Sequence, residues 1–431
     1  MSTLNAFDVL TARGLVYDCT DEAGLRDAFA AGPVTFYVGF DPTADSLHAG
    51  NLVGIMAMAH LQRLGHRAIA LAGGATGRVG DPSGRDVERQ LLDEATLERN
   101  LAAIRTQLAF FLDFSTPERG LLVDNYDWMR SFSFMDALRV IGPHFSVNQM
   151  ISRESVRKRL ETREQGLTYT EFSYQLLQAW DFWHLYKHEG ARLQGGGSDQ
   201  WGNITAGTDL IGKMAGPDHP KAFGLTWPLL TTAAGVKFGK SAGNAVWLDR
   251  EKTSPYGYYQ FWINAADADV ERFLKIFTFL ELDEIDEIVA KHGEAPHLRE
   301  GQKRLAAEAT RIVHGEDGLT SAIKTTEVLF GAEPFTDLPA AIVREAFAEA
   351  PTVEVSSDVL AGETPISKFL VEAGACASQS EAKRLIGQGA VRLNNRVVTQ
   401  ADRPVDTDDV TADAIIIIRV GKKRHFLATL V

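Results

Sequence analysis

The stretch Tyr37–Asn51, Y-V-G-F-D-P-T-A-D-S-L-H-A-G-N, constrains this 431-residue chain more than any other. An apolar, β-rich run, Val34-Thr35-Phe36-Tyr37-Val38, leads into it and predicts a buried strand, with Gly39 and Pro42 marking a turn. Small residues at Ala49, Gly50, Gly54 and Ala57 follow at a spacing that suits a closely packed helix opening near Ala49. His48 and Asn51 therefore fall at a strand-to-helix corner. In an open α/β sheet, ligands bind at the carboxyl ends of the strands. The N–H groups of a helix start favour phosphate there. Alone, the corner fits equally well an ordinary βα unit with one surface histidine.

The pattern repeats. Arg67–Ala72 reads as a second buried strand and Leu121-Leu122-Val123-Asp124-Asn125 as a third, with a helix predicted from Asp93 to Asp113 between them. Alternating strands and helices predict an α/β fold, a Rossmann-like doubly wound parallel sheet. The glycine-rich run Gly73–Gly84 lacks the Gly-Lys-Ser/Thr of a phosphate loop, so its glycines serve close backbone approach to a ligand or to another loop. Residues 130–170 interrupt the alternation as a helical insertion, where Arg153, Arg157, Lys158, Arg159 and Arg163 read as a solvated face.

A helix is predicted over Phe172–Leu185, with Tyr174, Gln178 and Asp181 on one side of it. A phenol, an amide and a carboxylate on one face mark either a solvated surface or a polar pocket. The run Gly195–Asn203 meets a further strand, Ala191–Leu193, at another strand-to-helix corner, and Val236-Lys237-Phe238-Gly239-Lys240-Ser241 places two lysines three apart in a loop. Helical patterning continues from Tyr256 to Gly315.

Charge divides the chain. It carries 44 Lys and Arg against 57 Asp and Glu, net −13, which argues against a protein that coats nucleic acid along its whole surface. Residues 364–431 hold ten basic and seven acidic residues, net +3, leaving 34 against 50, net −16, for residues 1–363. Two short helices, an Asn394-Asn395 hairpin and late strands are expected in that basic module, with Lys383, Arg384, Arg392, Arg396, Lys422, Lys423 and Arg424 as candidate RNA-binding residues. Residues 331–363, acidic and proline-containing, read as a linker with a short helix, so a cut near Glu363 is expected to leave the preceding body folded. Cys19 and Cys376 read as buried thiols of a reducing compartment, and neither a membrane span nor an export signal is expected.

Taken together, the motifs resemble those of bacterial tyrosyl-tRNA synthetases, class I aminoacyl-tRNA synthetases. His48-Ala49-Gly50-Asn51 resembles the HIGH signature and Lys237-Phe238-Gly239-Lys240-Ser241 the KMSKS loop. Tyr37-x-Gly-Phe-Asp-Pro-Thr, Gly80-Asp81-Pro82-Ser83-Gly84, Tyr174-x3-Gln178-x2-Asp181 and Gly197-Ser198-Asp199-Gln200 resemble tyrosine-specific members. The resemblance implies a catalytic domain over 1–235 with its insertion near 130–170, a lysine signature loop and α-helical anticodon-binding domain over 236–330, the linker, and a small α+β RNA-binding domain over 364–431. It implies ATP as substrate with Mg2+ carried on its phosphates and no metal caged by protein ligands. tRNA(Tyr) and L-tyrosine are the implied partners, in a cytoplasmic homodimer joined through the insertion. By the same resemblance, Tyr37 and Asp181 meet the tyrosine hydroxyl, and Asp81, Tyr174 and Gln178 its ammonium. Asp41, His48, Gly50, Asn51, Asp199 and Lys240 meet ATP, while Thr43, His48, Lys237 and Lys240 act on the phosphates as charge develops. Two departures stand out: Ala49 and Asn51 replace the Ile and final His of HIGH, and Phe238 replaces the Met of KMSKS. A tryptophanyl-tRNA synthetase, a small-molecule nucleotidyltransferase and a non-catalytic RNA-binding relative remain as alternatives.

Overall fold

Five parallel strands and one antiparallel edge strand organise the first part of the chain. β1 (Asp18–Cys19), β2 (Thr35–Phe40), β3 (Arg67–Ala72), β4 (Gly120–Asp124), β5 (Ala191–Gly197) and β6 (Phe223–Trp227) lie in the order β1-β6-β5-β2-β3-β4, and only the β1–β6 pair is antiparallel. The computed structural model describes residues 5–83, 92–153, 156–157, 160, 167–233, 238–241, 244–330, 340–347, 350–411, 413–421 and 424–431. Successive strands run outward on one side of β2 and then resume on its other side at β5. The crevice at the switch point thus opens between β2 and β5, where Tyr37 and Gln194 are neighbours in register.

β2 continues two residues beyond the expected strand, through Gly39 and Phe40, because β3 pairs with it along its whole length. β5 likewise runs through Gly195–Gly197, whose backbone pairs with Leu225–Trp227 of β6. The helix opening the corner spans Ala49–Arg63 and is buried from Leu52 to Gln62. The helix after β3 is Glu94–Phe111, capped by Asp93, and the polar-faced helix is longer than expected, Tyr169–Glu189. In the insertion the described residues form only short pieces, among them Phe134–Asp136 and Val147–Ser152. Arg153 there is no solvated charge: it donates to Thr205 Oγ1 at 2.8 Å and lies 3.8 Å from Asp209.

The chain divides into two units, one of Met1–Lys252 with Phe261–Val313 and one of Thr253–Gln260 with His314–Val431. The second unit holds a five-stranded sheet in the order Arg396–Val397, Val391–Leu393, Ile415–Val420, Arg424–Leu430, Thr352–Val355. Its hairpin turns at Asn394 and Asn395, both at positive φ (43° and 63°), as a tight two-residue turn demands. One face of the sheet buries Ile416, Ile418, Phe369, Leu370 and Ile386. The other buries Ile415, Ile417 and Leu427 against Val343, Phe347, Leu329 and Tyr256.

The linker expected over 331–363 is therefore corrected over its described part. Ala340–Ala346 is a helix whose Val343 closes the second face, and Thr352–Val355 is an edge strand paired in parallel with Leu427–Leu430. Apolar burial and four residues of ladder outweigh the acidic, proline-bearing composition.

Candidate active site

His48 caps the helix Ala49–Arg63. Its Nδ1 accepts from the Gly50 N–H at 3.0 Å, and its own N–H donates to Asn51 Oδ1 at 3.0 Å, so the two residues close a reciprocal capping box. This gives Asn51 a structural reason to stand where HIGH has histidine: its short amide satisfies the backbone of the cap. With Nδ1 accepting, a neutral His48 ring carries its proton on Nε2, as a phosphate donor requires. The segment after the lysine signature is tied to the same cap. Val246 N–H donates to Gly239 O and Ala49 N–H to Val246 O. Gly239 adopts φ 87°, and a Cβ on it would lie 2.7 Å from the Gly50 nitrogen. Lys240 pairs with Ala245 in a short hairpin, while Lys237 lies outside the described residues. Phe238, in place of Met, is buried among Phe261, Trp262, Phe273 and Phe277, with ring centroids 5.0–5.6 Å away. It anchors the loop through aromatic area that methionine would supply less rigidly.

A chain of side chains crosses the crevice. Tyr174 Oη donates to Asp41 Oδ2 at 2.9 Å, and Thr76 Oγ1 donates to Asp41 Oδ1 at 2.7 Å. Asn125 Nδ2 reaches Thr76 Oγ1 at 3.1 Å and Asp181 Oδ2 at 2.9 Å, and Trp128 Nε1 donates to Asp181 Oδ1 at 2.9 Å. Glycines at 73 and 74 permit this closeness. A Cβ at Gly73 would sit 2.2 Å from Asp41 Oδ1, and one at Gly74 the same distance from Asp124 Oδ1. The glycine-rich run is thus a close backbone crossing.

Asp181 is 2% exposed, and burial pushes its carboxyl up to about 8, against the lowering effect of Asn125 and Trp128. Tyr37 is 1% exposed, and its hydroxyl finds no hydrogen-bond partner among the described residues. Burial and then the Asp181 charge hold that phenol well above its ordinary range. An orphaned buried hydroxyl is rare enough in a folded protein to require an explanation.

Asp81 accepts from Gln200 Nε2 at 2.7 Å and from the Ser83 N–H at 2.9 Å, joining the loop after β3 to the end of β5. Gln178 lies half-buried on the helix turn after Tyr174, Asp199 sits half-buried in the turn after β5, and Thr43 is exposed beyond β2. Thr76, Asn125 and Trp128 carry no role in the sequence reading, and Gln200 enters it only as part of the Gly197–Gln200 motif. Asn125 follows the carboxyl end of β4, so the strand-end rule alone could have found it.

In the second unit Arg392 is opposite Arg419, and Arg419 is opposite His425, on adjacent strands. Burial and then Arg392 lower the Arg419 guanidinium. Lys383, Arg384, Arg396 and Arg424 are exposed, though Lys383 already pairs with Asp402 at 2.8 Å. Lys422 and Lys423 lie outside the described residues.

The chain is similar to one family of known proteins along nearly its whole length. The family described as "tRNA synthetases class I (W and Y)" matches residues 30–331, and the "Tyrosine--tRNA ligase SYY-like C-terminal domain" matches residues 343–428. The Tyrosine--tRNA ligase of Bacteroides fragilis is 47% identical over 432 residues, covering 98% of this chain and 99% of the relative. That of Porphyromonas gingivalis is 46% identical over 431 residues, with the same coverage. The crystal structure of a C-terminally truncated mitochondrial tyrosyl-tRNA synthetase from Aspergillus nidulans superposes with a TM-score of 0.69 at 34% identity, covering 76% of this chain and 94% of that one. The tyrosine reading thereby prevails over the tryptophan one, and the chain belongs to the bacterial tyrosyl-tRNA synthetases, class I enzymes that join tyrosine to tRNA at the expense of ATP.

Proposed function

We propose that tyrosine is read in the β2–β5 crevice, with Tyr37 and Asp181 on its phenol and Asp81, Tyr174 and Gln178 on its ammonium. The observation that carries this reading is the orphaned Tyr37 hydroxyl beside the buried Asp181 carboxyl. A phenol placed there accepts from one and donates to the other, whereas phenylalanine leaves the Tyr37 hydroxyl without a partner. The substrate carboxylate then attacks the α-phosphorus of ATP and the bond to pyrophosphate breaks; a hydroxyl of the 3′-terminal ribose of tRNA later attacks the tyrosyl carbonyl, and AMP leaves. No protein nucleophile is needed; positioning and positive charge do the work. Thr43, His48, Lys237 and Lys240 supply donors to the phosphates. Asp41, Gly50, Asn51 and Asp199 face the nucleotide from the ends of β2 and β5, Asn51 through its amide NH2. Mg2+ arrives on the ATP phosphates. Among the described residues no three His, Cys, Asp or Glu side chains are grouped to hold a metal.

The test is tyrosine and phenylalanine titration by calorimetry into wild type and Asp181→Asn. Selectivity should collapse in the variant; equal selectivity would overturn the assignment.

In the second unit, the Arg392–Arg419 cross-strand pair supports tRNA binding. Like charges directly opposite destabilise a sheet, and a phosphate between them relieves the repulsion. Lys383, Arg384, Arg396, Lys422, Lys423 and Arg424 extend the same role, and the helices beyond Phe261 take the anticodon arm. A second copy of the chain covers the insertion, where Phe134, Met135 and Val147 are 63%, 63% and 58% exposed. Sedimentation should give a dimer that Phe134→Asp with Met135→Asp disperses; an unchanged dimer would move the contact elsewhere. The cytoplasm is the compartment that fits these partners. No described helix is long and apolar enough to cross a membrane.

A further inference from the structure

Asp181, His184 and His188 follow one another at three and four residues along the helix Tyr169–Glu189, so they share a face. The two oxygens of Asp181 are held by donors of unequal security. Asn125 is 0% exposed and pinned at both ends of its amide, since its Oδ1 accepts from the Ala75 N–H at 2.7 Å and its Nδ2 also reaches Thr76. Trp128 projects from the short helix Tyr126–Met129 and is only half-buried. Its indole lies flat on the His184 imidazole, with centroids 4.3 Å apart and planes at 10°, and His188 stands behind at 4.5 Å.

We propose that His184 is a positioning residue for tyrosine recognition: its ring fixes the Trp128 indole at the angle from which it donates to Asp181. The inference rests on Asp181 being the phenol's partner. The stack uses a neutral ring, since burial and then His188 bring His184 down to about 4. A neutral imidazole offers a flat aromatic face without adding a charge that would compete for the Asp181 carboxylate. Trp128 also packs against the buried cluster that holds Tyr37, Ile69, Leu71 and Phe182, so its ring has other neighbours. His184 alone is stacked parallel to it among the described residues.

The experiment is tyrosine-dependent pyrophosphate exchange in the full chain, with tyrosine and phenylalanine, for His184→Ala, His184→Leu and His184→Phe beside Asp181→Asn. An aromatic pair of this kind corresponds to about a two- to tenfold effect. His184→Ala should raise the KM for tyrosine by that factor and lower the tyrosine-over-phenylalanine ratio of kcat/KM equally, while kcat and the KM for ATP hold. His184→Leu keeps the volume and loses the flat face, so it should match the alanine variant and replaces it if alanine fails to fold. His184→Phe restores the face and should restore the KM. Unchanged tyrosine KM in the leucine variant, or no rescue by phenylalanine, overturns the inference when Asp181→Asn has lost selectivity. If Asp181→Asn keeps its selectivity, the phenol reading fails and the role of His184 falls with it.

Discussion

Tyr37→Phe removes one oxygen and should act with opposite sign on the ligand-free protein and on the complex. The hydroxyl is buried with no hydrogen-bond partner among the described residues, a state that costs about 1–3 kcal/mol relative to a satisfied or absent group. The phenyl ring keeps its neighbour Phe182, 5.3 Å between centroids, so packing is preserved. Deleting the hydroxyl should stabilise the first unit by about 1 kcal/mol, a rise of roughly 2–4 °C in its melting temperature. With tyrosine bound the same oxygen gains a partner. Its loss should raise the tyrosine Kd about two- to tenfold, the worth of one neutral hydrogen bond, and leave phenylalanine unaffected. Differential scanning fluorimetry without ligand and calorimetric titration with both amino acids read the two arms. A variant that melts lower than wild type and binds tyrosine equally well would refute the reasoning, because the hydroxyl would then have a partner in the empty fold and none in the ligand.

His48→Ala should slow adenylate formation by about 10²–10³ in stopped flow with tyrosine affinity held, and should lose about 1 kcal/mol of stability through the vacated cap; loss of tyrosine binding at normal rate would place His48 elsewhere. Phe238→Ala leaves a cavity among four aromatic rings and should destabilise the first unit by about 3–5 kcal/mol while depressing activation; a melting temperature at the wild-type value would show the ring to be dispensable. Asp181 is raised from 3.8 to about 8 in the fold, so its stabilising contribution is complete below about pH 4 and is lost as pH rises through 8. A phenol that donates to the ionised form should bind more tightly between pH 6 and 8, by at most about tenfold per unit, and a flat Kd profile would count against that acceptor. A fragment ending at Glu363 should exchange pyrophosphate yet expose residues 340–363 to protease, since Val343, Phe347 and the strand Thr352–Val355 lose their sheet; a protected tail would contradict the described layering.

Local chemistry was legible in the sequence where it stays local. The strand-to-helix corner at His48 and Asn51 needs only the break at Gly39 and Pro42 and the small residues from Ala49, and the polar face needs only the helical period that aligns Tyr174 with Gln178 and Asp181. Asn125 and Trp128 were not legible, because what makes them donors to Asp181 is a meeting of segments 56 and 53 residues apart. The misread linker is instructive in another way. Its acidic and proline content predicted a linker with a short helix, and the helix is there, yet it packs through Val343 and Phe347, and Val353 and Val355 alternate as a strand does. Short elements of four to seven residues carry too few periods to outweigh composition when read alone. The parallel strand that completes the sheet pairs with residues some 75 positions later.

On the proposed assignment, the arrangement of carboxylates joins the two halves of the reaction in one crevice. Asp41 follows β2 next to the nucleotide corner, yet both its oxygens are engaged by Tyr174 and Thr76 on the amino-acid side. Through Thr76 and Asn125 it is joined to Asp181, and its charge is one of the causes that raise Asp181. Asp41, Asp81 and Asp181 thus gather around two buried phenols, Tyr37 and Tyr174. On the proposed assignment, a ligand that brings an ammonium at one end and a hydroxyl at the other meets this cluster at both places at once. In that assignment its ammonium sits among the acidic groups around Tyr174, and its phenol gives the Tyr37 hydroxyl a partner beside Asp181. With both ends fixed, the remaining group, the carboxylate between them, is directed toward the Asp41–His48 corner, where attack on the α-phosphate has to occur.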